Sequence, residues 1–544
     1  MEALIHISDY RGARFLWQAC WENIVQFIKC NYGEMMNRKL YGILVALYIT
    51  LITFPYIFAW CQVGEGKEFA GFLANYMDGQ SYIAKMMLGW RGEWKFTPLY
   101  SAETGEGAFL FTFYLFLGHV SRILSIRPIY VFHAARVLSA IFLIFTIRLL
   151  VQLIFRDQPR SELLAFILVT FGSGLGWAVN GILPLTSDFW VAEAYPFLSS
   201  FQNPHFPLGL GIMVRLLINE FSASRRVGEW FVNGLWGFLL AVILPFGVIV
   251  LASVYGVIFA LDFIRNKKFS FRPIHTGIIL GVFVVLYQYV ATLLDPVLSG
   301  WNAQNITKSP GILDLLISFS PMLPIAIYGI WRCWKKSKPF SHEHSIFIIW
   351  LLVSLVLVII PFPLQRRFLL GFHIPCVILG VIGLRELLTE KKFNIATPVL
   401  ILIMIPTNLL LLSGAIYAGF TQEPALYISI NERLAMDWIN RNTPEGSVIF
   451  SSPEMGVFIP AYTGRKVVYG HLFETIDAES KKEWIIHTLQ SKPLILDKGH
   501  PFWKDVDYIF WGAREEAYGG APPGDANIVF SHNGITIFST TSQP

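Results

Sequence analysis

The chain has 544 residues, of which 54% are hydrophobic and only 15% charged, with a formal net charge of +5. An ordinary soluble chain is roughly 25% charged, and a chain this long and this apolar cannot enclose all of its apolar surface in soluble cores, so lipid must solvate much of it. Disorder, collagen-like repeats and a small disulfide scaffold are excluded, and so small a net charge gives no basis for a nucleic-acid partner.

Residues 1–39 mix Phe15, Trp17, Trp21 and Phe27 with Arg11, Arg14, Lys29, Arg38 and Lys39, which suits a cytoplasmic amphipathic segment lying on the inner leaflet. The first long apolar run begins only near Leu40 and has no small-residue cleavage site after it, so it is expected to stay as the first transmembrane helix. The cysteines Cys20, Cys30, Cys61, Cys333 and Cys376 show neither CxxC nor zinc-type spacing and imply no metal site.

Runs long enough to span lie at 40–60, 129–155, 161–183, 206–221, 230–245, 246–264, 275–294, 311–331, 345–361, 368–384 and 395–418, giving about eleven helices in a transmembrane domain over 40–419. The connections after alternate runs carry Arg156 and Arg160; Arg225 and Arg226; Arg265, Lys267, Lys268 and Arg272; Arg332, Lys335, Lys336 and Lys338; and Arg385, Lys391 and Lys392, which marks them as cytoplasmic. A further run, Ala108 to Leu124, would invert every later loop if it crossed. It is therefore read as a juxtamembrane or re-entrant helix inside a large outer loop, 61–128. The N-terminus then lies inside and residues 420–544 outside.

After Gly419 the pattern changes to a helix (NERLAMDWINRN), a turn (TPEG), strands (SVIF and KVVYG), a second helix (ESKKEWIIHTLQ) and late strands (VDYIF and GITIF). This predicts an extracytoplasmic α/β domain over 420–544 that, lacking cysteine, relies on its own core.

Polar residues on the outer side gather in separate places. In FLANYMDGQSYIAKMMLGWRGEW, Asp78 sits just beyond the first span, with Tyr82 and Lys85 following at helical spacing and Glu103 further on. LPLTSDFWVAEAYPFLSSFQNPHF packs Asp188, Glu193 and His205 among aromatics without a Lys or Arg. In PFPLQRRFLLGFHIP, Arg366 and Arg367 break the positive-inside pattern at a membrane boundary. They either snorkel to headgroups or meet an anion, and a phosphate fits, because guanidinium donates bidentately to phosphate oxygens. GRKVVYGHLFET, with Arg465, His471 and Glu474, either closes over the membrane site or is an ordinary turn.

These segments resemble the GT-C superfamily, the multi-span glycosyltransferases that use polyprenyl-phosphate-linked sugars, among them protein O-mannosyltransferases and lipid A aminoarabinose transferases. The shared features are an Asp soon after the first span, the Tyr-containing MDGQSYIAK helix, HAARVLSAIF at the start of the next span, the outer-boundary QRR and the final α/β domain. Arg136 occupies the Arg of the family's Arg-Leu-Pro-Ser segment. The chain departs from the family in a lone Asp78, followed by Gly79, where many relatives have an acidic pair. It also lacks the Trp-Trp-Asp signature of oligosaccharyltransferases, so whole-glycan transfer to Asn is not expected.

The resemblance implies an α-helical polytopic GT-C-like fold in a bacterial cytoplasmic (inner) membrane, with membrane lipids around it. Its partners would be a polyprenyl-phosphate-linked sugar donor and a glycan, lipid or protein acceptor. No cofactor is required, although the acids of both outer loops could bind a divalent metal. The residues' own chemistry leads the same way. Polyprenyl phosphate leaves as a stabilised anion, so departure needs a cation, Arg366 and Arg367 with Arg136, more than a general acid. An acceptor hydroxyl needs a carboxylate to take its proton, and Asp78 is the expected base. Direct attack from the opposite face predicts inversion without a covalent sugar intermediate. Tyr82, Glu103, Asp188, Glu193, His205, His471 and Glu474 are the further substrate-binding candidates. Two competing readings are a transporter or lipid flippase, which would place charges at mid-membrane, and a non-catalytic membrane sensor whose outer domain binds a ligand.

Overall fold

The computed structural model describes residues 39–221, 226–267, 271–336, 340–497, 499–524 and 526–540. The amphipathic segment expected over 1–39, apart from Lys39 itself, and the loop residues Arg225, Lys268 and Lys338 lie outside the described residues. The chain divides into two units, Met1–Leu51 and Ile52–Pro544. Of the first, only the opening turns of a helix are described, and the site lies in the second.

Among the described residues, seven helices are long and apolar enough to cross a membrane: Lys39–Cys61, Pro128–Ile154, Pro245–Asn266, Pro273–Leu294, His342–Ile359, Gln365–Leu387 and Glu390–Thr421. The count becomes eight if Ile312–Ser318 and Met322–Lys335, bent by 90°, form one span. Prolines open several of these helices (Pro128, Pro245, Pro273), because the first turn has no use for the N–H that proline lacks. The other runs expected to span are shorter helices, Pro159–Phe171 of 13 residues and His205–Phe221 and Val227–Ile243 of 17 each. At 1.5 Å per residue these reach about 20 and 26 Å against a hydrocarbon core of about 30 Å.

The apolar run before Leu124 is helical only over Thr112–Leu124, 13 residues, again about 20 Å and too short to cross. It packs against Tyr76–Arg91 at very close range. A Cβ on Gly89 would lie 2.0 Å from the Leu115 carbonyl oxygen, and one on Gly118 would lie 2.0 Å from that of Met86. Only glycine allows the two backbones to approach this closely.

Strand β1 (Lys67–Phe69) pairs antiparallel with β2 (Tyr427–Ser429), Glu68 opposite Ile428, and so ties the segment after the first helix to the start of the C-terminal region. The remaining strands, β3 (Val448–Phe450), β4 (Lys466–Val467), β5 (Tyr508–Trp511), β6 (Asn527–His532) and β7 (Ile535–Ser539), form one sheet in the order β4-β3-β5-β7-β6. β3 runs parallel to β4 and β5, and the β6–β7 hairpin closes through Asn533 and Gly534, at φ 42° and 82°. Positive φ at both positions matches the strand twist, which is why Asn-Gly stands there.

Strand alternation sorts the two faces of this sheet. Val448, Phe450, Ile509, Trp511 and Phe538 pack with Ile485 and Leu489 of the Ala478–Leu489 helix. Ile449, Phe510 and Ile537 pack with Ala435, Met436 and Ile439 of the Ile430–Asn442 helix, which Ser429 and Glu432 begin with a reciprocal capping box. That second core continues through Leu88, Phe96, Leu99, Tyr100 and Leu115, so residues 70–115 and the sheet share one apolar interior. The Tyr76–Arg91 helix is thereby packed into the same core as the sheet.

Candidate functional site

Asp78 stands in the first turn of the Tyr76–Arg91 helix, where a carboxylate suits the helix dipole. The Asn75 amide donates to Asp78 Oδ2. Asp78 Oδ1 lies 3.1 Å from His471 Nε2. The Phe473 backbone N–H donates to His471 Nδ1 at 3.1 Å. Nδ1 is therefore the acceptor and Nε2 carries the proton, so the imidazole donates to Asp78. Burial alone would raise the Asp78 carboxyl, but the His471 hydrogen bond, the field of Arg367 and the Asn75 amide outweigh it and hold Asp78 well below the usual carboxylate range. The side chain is still 34% exposed, which leaves it open to a partner.

Along the same helical stripe, Lys85 Nζ meets Glu474 Oε1 at 2.5 Å and Ser81 Oγ at 2.6 Å, with Lys85 and Glu474 both buried. Burial pushes the Glu474 carboxyl up, and Lys85 more than reverses that, leaving it below its ordinary value. His471 and Glu474 thus both come from the loop after β4 and both grip this helix. Thr475 anchors the loop, its Oγ donating to the Tyr100 carbonyl at 2.7 Å.

Tyr82, one turn after Asp78, stacks on Tyr114 with ring centroids 4.4 Å apart and planes 9° from parallel. Tyr114 Oη lies 2.6 Å from His205 Nδ1, at the start of the His205–Phe221 helix. Arg366 and Arg367 sit in the Gln365–Leu369 turn, and each has a guanidinium nitrogen 3.5 Å from Glu193 Oε1. The Gly371 N–H donates to the Glu193 carbonyl at 2.9 Å and fixes the two segments together. Arg366 lies over the Trp190 ring, 4.8 Å from its centroid.

These groups meet at a cavity of about 300 Å³. Tyr82, Tyr114, Glu193, His205 and Arg367 line it, together with apolar side chains such as Phe206, Val242, Leu244, Phe246, Ile249 and Leu370 and the polar Gln288, Asn302 and Asn305. Asp78 is not a lining residue, but it is close enough to interact electrostatically with Tyr82, Tyr114, His205 and Arg367.

The remaining sequence candidates lie elsewhere. Arg136 Nη1 donates to the carbonyls of Ile52 at 2.9 Å and Ser200 at 3.0 Å, and its guanidinium covers the Tyr56 ring at 4.3 Å, so it pins backbone. Asp188 is fully buried, accepting from Thr186 at 2.6 Å, Thr407 at 2.9 Å and the Gly176 N–H at 3.0 Å. Glu103 pairs with Lys481 at 2.5 Å and joins residues 96–108 to the helix beyond the sheet. Arg465 donates to the carbonyls of Thr443 and Asn440 and pins the end of the Ile430–Asn442 helix. Tyr114 and Asn75 were not legible as site residues. Tyr114 lies in a run read for its apolarity, and Asn75 is an unremarkable loop residue until its left-handed φ of 47° places its amide over Asp78. Among the described residues, no group of three or more His, Cys, Asp or Glu is placed to hold a metal ion.

No family model matches the chain, and no curated protein matches it in sequence. Among solved structures it is similar to the oligosaccharyltransferase of Archaeoglobus fulgidus tethered with an acceptor peptide, with a TM-score of 0.50 and 13% identity over 87% of this chain and 69% of that one. It is also similar to ArnT from Cupriavidus metallidurans bound to undecaprenyl phosphate, at TM-score 0.48 and 10% identity over 92% of this chain and 98% of that one. A further neighbour is the arabinofuranosyltransferase AftD from Mycobacteria, at TM-score 0.47 and 11% identity over 93% of this chain and 42% of that one. These structural neighbours are GT-C glycosyltransferases, and the TM-score of 0.50 to the first shows that the chain shares its fold.

Proposed function

We propose that the protein is a membrane glycosyltransferase that passes a sugar from a polyprenyl-phosphate-linked donor to an acceptor hydroxyl on the extracytoplasmic side, with inversion. A shared fold alone does not give a function. The observation that carries the reading is that Arg367 lines a cavity walled by both polar and apolar side chains, with the Asp78 carboxylate close enough to feel its charge. A lipid phosphate has the same mixed character.

In this reading the donor phosphate lies against Arg367, with Arg366 and Glu193 behind it, and the isoprenoid runs along the apolar side chains. As the bond between the anomeric carbon and the phosphate oxygen breaks, its electron pair goes to that oxygen, and Arg367 stabilises the charge that develops. The acceptor oxygen forms the new bond from the opposite face, and its proton passes to Asp78. A carboxylate held below its usual range stays ionised, ready to take the proton as the forming bond makes the hydroxyl acidic. His471 keeps Asp78 ionised and aimed. The acceptor class, whether glycan, lipid or protein, is set by surfaces around this centre.

The test is incubation of the purified protein with a panel of polyprenyl-phosphate sugars and mixed membrane acceptors, following free polyprenyl phosphate. Consumption of one donor with release of polyprenyl phosphate is expected. Survival of every donor would contradict the proposal.

A further inference from the structure

The Tyr76–Arg91 helix has cavities on both faces. Asp78, Tyr82 and Lys85, spaced by four and three, form the stripe turned to the site above. Gln80, Ile83, Met87 and Trp90, spaced by three, four and three, lie on the opposite stripe and line a second cavity of about 200 Å³. Its other walls come from Arg127 at the head of the Pro128–Ile154 helix, from Arg433, Asp437 and Asn440 on one stripe of the Ile430–Asn442 helix, and from Tyr462.

We propose that this second cavity is a binding site for a neutral saccharide ring, distinct from the sugar that reacts. It uses none of the residues assigned to transfer and goes beyond that reading.

Size comes first. Pockets for drug-sized ligands run to roughly 300–1,000 Å³, so a cavity of about 200 Å³ takes something smaller, on the scale of one ring. Charge comes second. Both cations at the cavity already have a carboxylate partner, Arg433 with Asp437 at 2.9 Å and Arg127 with Glu68. The matched charges offer an anion such as phosphate little net attraction, yet they present fixed donors and acceptors together, which is what a hydroxyl needs, since it both donates and accepts.

Shape comes third. Trp90 adds an indole of the kind that suits the C–H surface of a sugar ring, and Tyr462 adds a hydroxyl. The Arg433 guanidinium lies 4.9 Å from the centroid of the Tyr462 ring and holds it in place. Asn440 adds an amide that can donate and accept at once. A purely apolar ligand would make no use of the donors and acceptors that the ion pairs leave over, and a charged one would compete with the ion pairs.

The experiment is titration calorimetry on the full-length protein in detergent, with the methyl glycosides of glucose, galactose and mannose, with N-acetylglucosamine, and with inorganic phosphate. Saturable binding of at least one neutral sugar is expected, with an affinity that salt does not change. Tyr462→Phe, which keeps the ring and removes the hydroxyl, and Asn440→Ala, at a half-buried position, should each weaken it roughly tenfold, the scale of a lost hydrogen bond. Arg367→Ala should leave this binding intact. The proposal is overturned if no neutral sugar binds, or if binding responds to Arg367→Ala and not to Asn440→Ala. It is equally overturned if phosphate binds instead, with an affinity that falls as salt rises. Transfer activity is measured separately, so a failure of the proposed reaction and a failure of this site read out differently.

Discussion

At the scale of single residues, the arrangement separates two arginines that look equivalent in sequence. Both lie 3.5 Å from Glu193, but Arg367 lines the cavity, whereas Arg366 does not and lies over the Trp190 ring. Replacing Arg367 by Lys keeps charge but loses the guanidinium fork, and Ala loses both. Activity and donor affinity should therefore fall in the order wild type, Lys, Ala at 367, with a smaller effect for Arg366→Ala. Full activity of Arg367→Ala would mean that the side chain only neutralises Glu193. His471 offers a second test. Asp78 is held below its ordinary value in part by the His471 hydrogen bond. A depressed carboxyl stays ionised, and any contribution that needs the anion persists, until pH falls through the lowered value. Without that hydrogen bond, burial is less opposed and the Asp78 value rises. The acid limb of the rate profile for His471→Ala should therefore move to higher pH, and an unmoved limb would show that His471 does not act through Asp78. The candidates that landed elsewhere, Arg136, Asp188 and Glu103, illustrate a limit on reading residues. A buried Arg that holds backbone carbonyls and one that holds a ligand look the same in sequence, because the distinguishing partners are main-chain atoms brought in by the fold.

At the scale of elements, the Tyr76–Arg91 helix is the centre of the account. Its stripe of Asp78, Tyr82 and Lys85 was legible from spacing, as were the two helices and most of the strands after Gly419. β1, three residues long, and β6, whose apolar core is only Ile528 to Phe530, were not, since so short a run carries no clear period. The bend between Ile312–Ser318 and Met322–Lys335 was also hidden, because hydropathy averages across a break that length alone does not show. The Lys85–Glu474 pair fastens this helix to the loop that carries His471. Removing one partner leaves a buried charge, which costs about 3–5 kcal/mol, whereas apolar or neutral replacement of both is far milder. Thermal unfolding should therefore show Lys85→Met strongly destabilised, with much of the loss recovered in the double variant Lys85→Met, Glu474→Gln. Because the Glu474 value is depressed, the pair's contribution is complete above the ordinary Glu range and declines only as pH falls through the lowered value. Equal destabilisation in single and double variants would show that the pair does not carry this joint.

At the scale of the whole molecule, orientation rests on charge. Basic clusters such as Arg265 with Lys267 and Arg332 with Lys335 alternate with connections that hold Asp188, Glu193 and the sheet. A cysteine placed at the exposed Ile182 or Leu185, in the connection that leads to Asp188, or at an exposed position after Gly419 should react with an impermeant reagent from outside, and one near Lys267 or Lys336 should not. Labelling at Lys267 from outside would invert the orientation and put the site on the other side of the membrane. The central claim, that a carboxylate on the Tyr76–Arg91 helix takes the acceptor's proton while the lipid phosphate leaves toward Arg367, is tested most directly by Asp78→Asn. Turnover and donor binding should be measured on the same folded preparation. The amide keeps the shape and can still receive the His471 hydrogen bond but cannot take a proton, so turnover should drop roughly a hundredfold or more while donor affinity is retained. Turnover close to that of the unmodified protein would contradict the account.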